Sequence, residues 1–331
     1  MSASPSRKRL ELIVRKTLVA MISLVGLLMT SCGTGNFEYP SRKMELIVGY
    51  GAGSANDTIA RSYAAALGEV SGATVLVVNR PGAGGIISAT EAMLAPADGY
   101  SLLLAPISAF TTAPLMQEVH YSPEDFRTVA ALAEQPFAIT VAADSPYDSL
   151  EDLGQETSLT AAILGEGHAS QVVIGTIMQQ LGSQIRSVPF DGSGAVLQSV
   201  ISGETDVAVT DANTAYQRVR SGELKALAVT GSKPMDVFPG VRTVSEAGFP
   251  EADYMVTQAL AVPVDTPEEI VDKLEKLSDQ AVATDTYQDF LAATNTFTPD
   301  MEGREWMDTY APSEMERLRK AYAELGIGPN E

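Results

Sequence analysis

Gly49, Gly51 and Ser54, in the stretch IVGYGAGSAND at 47–57, carry the first chemical suggestion. They nearly spell G-x-G-x-x-G/A, the spacing of a dinucleotide turn in which glycines let the backbone approach a pyrophosphate. The context fits: apolar MELIV precedes the turn and a helix-like TIARSYAAALGEV follows. Two features count against it. A dinucleotide site wants an acidic residue at the end of the next strand, and TVLVV ends in Asn79-Arg80. An export-type N-terminus, described below, is also a poor setting for a nicotinamide cofactor. The same turn has a more general use. The first N–H groups of a helix have no internal partners and sit at the positive end of its dipole. They hold phosphate, sulfate or carboxylate alike. In that reading Gly51, Gly53 and Ser54 let the backbone close on an anion, and Asn56 or Asp57 caps the helix. A third use is purely structural, tight packing of strand on helix.

Other constellations offer little chemistry. His120, in EVHYSP, reads as a solvated surface residue. His168, in GEGHASQ, sits at a second helix start between glycines, and reads either as a ligand contact or as a neighbour of the cap. No H-x-x-x-H or H-x-E pairing exists for a metal. DGSGA at 191–195 lacks the register of a G-x-S-x-G elbow and has no evident histidine partner. Glu268, Glu269, Asp272 and Glu275 fall on a solvated helix face, and Trp306 reads as packing. The residues argue for binding without catalysis, with no cofactor and no metal.

The elements that must position these residues alternate. Strand-like MELIV, TVLVV and SLLLA are separated by TIARSYAAALGEV and IISATEAMLAPA, a pattern for buried parallel strands covered by helices. VAALAEQPFAITVAADSP reads as two short strands around Pro136. A second series follows: LTAAIL, ASQVVIGTIMQQLG, RSVPF, AVLQSVISGE, TDVAVTD, NTAYQRVRSGE and LKALAVTG. YMVTQALAV at 254–262 is a strand that could return the chain to the first series. Thr266-Pro-Glu-Glu269 reads as a capped helix start, and the rest is helical. No internal repeat is evident. Crossings near residues 134 and 260 predict a discontinuous layout, 42–133 with 262–331 as one domain and 134–261 as the other. A cleft between such domains is a common place for a small-ligand site, and two crossings permit hinge closure.

The chain opens with a basic segment, an apolar run of about a dozen residues and Thr30-Ser31-Cys32-Gly33. That order is an export signal, short for a membrane span of about 20 residues. Cys32 is the only cysteine. MTSC resembles a lipobox, which would make 1–31 a signal peptide, Cys32 a lipidated N-terminus and 32–41 a tether; the plainer alternative is a secretory peptide with an incidental cysteine. The whole chain has 22 basic and 42 acidic residues. Residues 1–31 hold five of the basic and one of the acidic, which leaves 17 against 41, a net charge of −24. Such a surface repels nucleic acid. An anion site must therefore work by local donors.

The segments YPSRKMELIVGYGAGSANDTIAR and VVNRPGAGGIISATEAMLAPADGYSLLLA resemble the receptor component of tripartite tricarboxylate transporters, the Bug proteins. VPFDGSGAVLQSVISGETDVAVTD, GELKALAVTGSKP and FPGVRTVSEAGFP extend the resemblance over nearly all of 39–328. It implies an α/β, two-domain, periplasmic-binding-protein-like fold of type II. It also implies one small carboxylate in the cleft, delivery to membrane permease subunits and a monomeric protein. By position, Tyr50 matches the family's aromatic wall, and Ala52, Gly53, Ser54 and Asp57 match its P-G-G-x-x-D. Ser108 lies in a match to a polar S-G-T, and Asp211 to an acid that reaches a second polar group of the ligand. The loop at 50–57, Gly51 included, is expected to face the loop at 165–170 with Gly167, His168, Ala169 and Ser170, their amides holding one carboxylate. This copy departs from the family pattern. Gly49-Tyr50-Gly51-Ala52 replaces P-F-x-P, which predicts a more flexible loop. Ile107 and Ala109 replace polar residues, and His168 is an addition. These departures suggest a monocarboxylate with an apolar or aromatic body instead of a citrate-like acid. A sensing subunit of the same fold and an exported α/β enzyme are the alternative readings.

Overall fold

Strand, glycine turn and helix alternate from Met44 onward, as the apolar runs require. The computed structural model describes residues 39–328, so the export signal, Cys32 and most of the tether lie outside the described residues. From Pro40 onward the described residues gather into one compact unit. Its first series runs β1 (Met44–Val48), α1 (Ala55–Ser71), β2 (Val75–Asn79), α2 (Ile86–Met93) and β3 (Ser101–Pro106). The second runs β4 (Phe126–Ala142), β5 (Leu159–Ile163), α3 (Ala169–Gln180), β6 (Ile185–Pro189) and α4 (Ser193–Ile201). It continues through β7 (Val207–Asp211), α5 (Ala212–Arg220) and β8 (Leu224–Val229). Then comes β9 (Met255–Pro263), and the main helices after it are α6 (Glu268–Val282), α7 (Asp285–Ala293) and α8 (Ala311–Leu325).

The strand order is β2-β1-β3-β9-β4-β7-β5-β6, with β8 also on β4. This order repeats itself. β1 lies between β2 and β3, parallel to both, and β9 closes the far side of β3 antiparallel. β5 lies between β6 and β7, parallel to both, and β4 closes β7 antiparallel. β1 and β5 have the same burial pattern, four of five residues hidden, as expected of strands covered on both faces.

Pro136 does not divide two strands. β4 is continuous through it and changes partners there. Up to Pro136 it pairs with β9; from Phe137 it pairs with β7, and from Ala138 also with β8. A residue without an N–H is tolerated at such a change of ladder, where a central position would reject it. The reading of Thr266 as a cap also needs correction: Pro267 precedes α6, and the buried Thr266 hydroxyl has no hydrogen-bond partner.

Each half has its own core. In the first, Trp306 is fully buried, donates to Thr257 Oγ1 at 3.0 Å and meets Phe110 edge-on at 5.9 Å. In the second, Phe137, Ile139, Val172, Ile177 and Val209 pack between α3 and the sheet.

Candidate ligand site

Open α/β sheets bind ligands beyond the carboxyl ends of their strands, where strand order reverses. The loops after β1 and β5 lie at those places, one in each half.

The first loop is built around Asp57. Ser54, extended at φ −69° and ψ 165°, caps α1 by accepting the Asp57 amide on its hydroxyl at 3.2 Å. Asn56 and Asp57 are therefore not the cap. The Asp57 carboxylate is buried and all its lone-pair directions are taken. Oδ2 accepts from the Gly53 amide at 2.8 Å and from Arg61 Nε at 2.9 Å. Oδ1 accepts from Asn79 Nδ2 and from Arg61 Nη2, both at 2.9 Å. The Arg61 fork, followed by the Gly53 and Asn79 donors, holds the acid down at about 2 against the opposing effect of burial. Asp57 thus shapes the loop and has nothing left for a ligand.

Asn79, where a dinucleotide site would have its ribose acid, has a different task. Its Nδ2 also donates to the Tyr50 carbonyl at 2.9 Å, so it ties the loop to the end of β2. Gly49 is required by close approach: a Cβ there would lie 2.4 Å from Ser88 Oγ and 2.8 Å from Gly85 Cα. The Tyr50 hydroxyl donates to the Gly84 carbonyl at 3.1 Å. Burial raises its pKa, and a hydrogen bond with Ser108 opposes the shift. The structure so brings Tyr50 and Ser108 together. It places Ile107 and Ala109 in the core with Phe110.

The second loop repeats the device. Gly53 and Gly167 have positive φ, +83° and +73°, a conformation that side chains resist. Each precedes a cap, and each donates its amide to a side chain four residues on: Gly53 to Asp57, and Gly167 to Gln171 Oε1 at 2.7 Å. Each cap amide returns to a carbonyl three residues back, Ser54 to Gly51 at 3.1 Å and His168 to Gly165 at 3.3 Å. His168 is itself the cap of α3, its Nδ1 accepting the Ser170 amide at 3.1 Å. That bond places the neutral ring's proton on Nε2. Burial pushes the His168 pKa down and the charge of Asp211 pulls it partly back. Ser170 is buried, its hydroxyl accepting the Leu164 amide at 3.1 Å.

The Gly53 and Ser54 amides are engaged within the first loop, as are those of Gly167, His168 and Ser170 within the second. Among the described residues, Ala55 and Asn56 in the first loop and Ala169 in the second have amides with no protein partner. Gly51 and Ala52 are exposed beside the first pair. Asp211, at the end of β7, stands opposite Phe137 in the ladder and accepts the hydroxyl of Ser193. Phe137 meets the His168 ring edge-on at 5.7 Å. Ser193, Phe137, Asn79 and Gln171 escape a reading of the sequence.

Comparison with known proteins decides the family. The tripartite tricarboxylate transporter family receptor profile matches residues 59–326. The chain belongs to this receptor family. The protein from the TAR-I ttuE-ttuC' intergenic region of Agrobacterium vitis is 32% identical over 297 residues, covering 87% of this chain and 86% of its own. Among solved structures, MatC from Rhodopseudomonas palustris with bound malate is 27% identical with a TM-score of 0.70. It covers 87% of this chain and 100% of its own. An R. palustris protein with adipate is 26% identical with a TM-score of 0.76, covering 88% and 100%. The α/β architecture is therefore the two-domain, periplasmic-binding-protein-like fold of these receptors.

Away from the two loops, a cavity of about 890 Å³ lies between Phe126, Val264, Met307 and Met315. Its arginines are occupied: Arg127 and Arg304 by Glu268, and Arg319 by Glu316.

Proposed function

We propose that this receptor is an extracytoplasmic solute-binding protein that captures one small organic acid and performs no catalysis. The acid's carboxylate lies between the two helix starts, on the amides of Ala55, Asn56 and Ala169. Tyr50, Gly51, Ala52, Ser108 and Asp211 bound the rest of the ligand. The observation that carries this reading is the pair of matched loops. Each uses a glycine at positive φ and an internal side-chain bond to leave helix-terminal amides unpartnered. Such amides suit an anion without an arginine clamp, which agrees with a net charge of −20 for the whole chain.

In this reading 42–133 with 262–331 and 134–261 are the walls of the cleft, and the protein is a monomer. It delivers its acid to the permease subunits of a tripartite transporter. Residues 1–31 direct export, Cys32 carries the lipid and 32–41 tether the receptor. Malate and adipate, held by relatives of the same fold, make dicarboxylates the first class to test. Titration calorimetry with malate, adipate, citrate and an aromatic monocarboxylate tests it, and saturable binding of at least one is expected. Silence with all four, together with no co-purified acid in native mass spectrometry, would overturn the reading.

A further inference from the structure

Asn56 is the second residue of α1, and its backbone amide is one of those left without a protein partner. Its side chain does not cap the helix, since Ser54 does. It turns instead toward β9, where Oδ1 accepts from Gln258 Nε2 at 2.7 Å. Asn56 is 9% exposed and Gln258 fully buried. Among the described residues no partner meets Asn56 Nδ2.

Gln258 is unusual in its own right. It stands opposite Ala133 of β4 on one side and Pro106 of β3 on the other, at the centre of the sheet. Its Nε2 is also 3.4 Å from Gln135 Oε1, while its Oε1 has no hydrogen-bond partner. A buried, incompletely matched amide is costly, so the bond it does make bears on function. As a donor, Gln258 fixes which end of the Asn56 amide points inward. The oxygen faces Gln258, and the NH₂ end keeps no protein partner among the described residues.

We propose that Asn56 Nδ2 is a ligand contact, a side-chain donor beside the Ala55 and Asn56 amides, and that Gln258 is the positioning residue that orients it. The proposal rests on the carboxylate-receptor reading and adds to it. Three donors from two adjacent residues match the two oxygens of one carboxylate, whereas the second loop offers one amide. The first loop is then the dominant anchor.

Calorimetry on the purified protein, with malate and adipate as probes, tests this. Asn56→Ala should weaken binding about tenfold, the size expected for a hydrogen bond to a charged group. Asn56→Asp, nearly isosteric, should weaken it further by setting carboxylate against carboxylate. Gln258→Leu should weaken binding several-fold in the wild-type background and add nothing to Asn56→Ala. Gln258→Met serves if the leucine variant does not fold. Affinities of both Asn56 variants equal to wild type would overturn the proposal. So would a Gln258 effect of the same size with and without Asn56, which would mark a purely structural role. If wild type binds neither probe, and also fails with the wider acid panel, the receptor reading falls and this inference with it.

Discussion

The loop after β1 and the loop after β5 solve one geometric problem with opposite chemistry. Both need a glycine amide held back, a cap and a free helix start. The first loop uses a carboxylate: Asp57 binds Gly53, Asn79 and the Arg61 fork at once. The second uses neutral groups, the Gln171 amide for Gly167 and the His168 ring for the cap. The difference teaches that loop shape follows from where the donors go, while charge decides how strongly the loop is fixed. Four bonds to an ionised group hold the first loop. Only neutral groups hold the second: the Gln171 amide, the His168 ring, the Ser170 hydroxyl and the Tyr322 hydroxyl, which donates to the Gly167 carbonyl.

The sharpest way to break this comparison is to remove both supports. Asp57→Ala strands the Gly53 amide and removes one of the two bonds of Asn79 Nδ2 and the partner of the Arg61 fork, which should cost about 2–3 kcal/mol. Gln171→Ala removes one neutral bond and should cost about 1 kcal/mol. Urea unfolding measures both, and equal losses would mean that charge does not distinguish the loops.

The next effect separates shape from binding. Ala55→Pro and Ala169→Pro each place proline at the first helical position, which helices accept. The preceding Ser54 and His168 are already extended, as a residue before proline must be. Each change deletes an unpartnered amide. Affinity for a bound acid should fall about tenfold or more while the fold persists; calorimetry and thermal melts together read this. A smaller loss at Ala169 than at Ala55 would sharpen the contrast between the loops.

Gly53→Ala and Gly167→Ala should each cost about 1–2 kcal/mol for the left-handed backbone. The second should cost more, because its Cβ would lie 2.9 Å from the Met116 side chain whereas Gly53 faces open space. Equal melting temperatures would show that Met116 moves aside freely.

The smallest effect is in pH. His168 has a folded pKa below its ordinary 6.5, so the unfolded chain takes up its proton first as pH falls. Its stabilising contribution is whole above that value and is lost as pH drops below it. Asp57 is held near 2 against an ordinary 3.8, so its contribution survives until pH falls through that lower window. Between pH 7 and 5 Glu134, which burial pushes up to about 6, and Glu314 gain protons first in the folded state and oppose this loss, so the test is a difference: His168→Gln should remove one falling component of the slope. An unchanged slope would remove His168 as its source.

Much of this was legible in the sequence. Apolar runs and glycine turns located nearly every strand and helix; the helix-terminus argument picked out the first loop, and the family resemblance the second. What escaped was partnership over distance. Nothing in Gln258 announces Asn56, and nothing in Asn79 announces the Tyr50 carbonyl, because each pairing exists only once the sheet has formed. Pro136 misled for a related reason: a local rule forbids proline within a strand, but the ladder on either side of it belongs to different neighbours. One signal was present and passed over. GSAND at 53–57 and GHASQ at 167–171 share glycine, alanine and a terminal acceptor at the same offsets. The two copies of the device were written in five residues each, too short to register as a repeat without the matching strand order around them.

The antiparallel pairing of β3 with β9 has a consequence for synthesis. Leu103 finds its partner in Ala261, so the first three strands present an open edge until the chain has been made through Pro263. Strands β4 to β8 are contiguous and can pair among themselves much earlier. An unpaired edge invites wrong partners, and pairings between distant residues form slowly. The half that carries the ionised loop is therefore the last to be sealed and the most dependent on protection while the chain is incomplete.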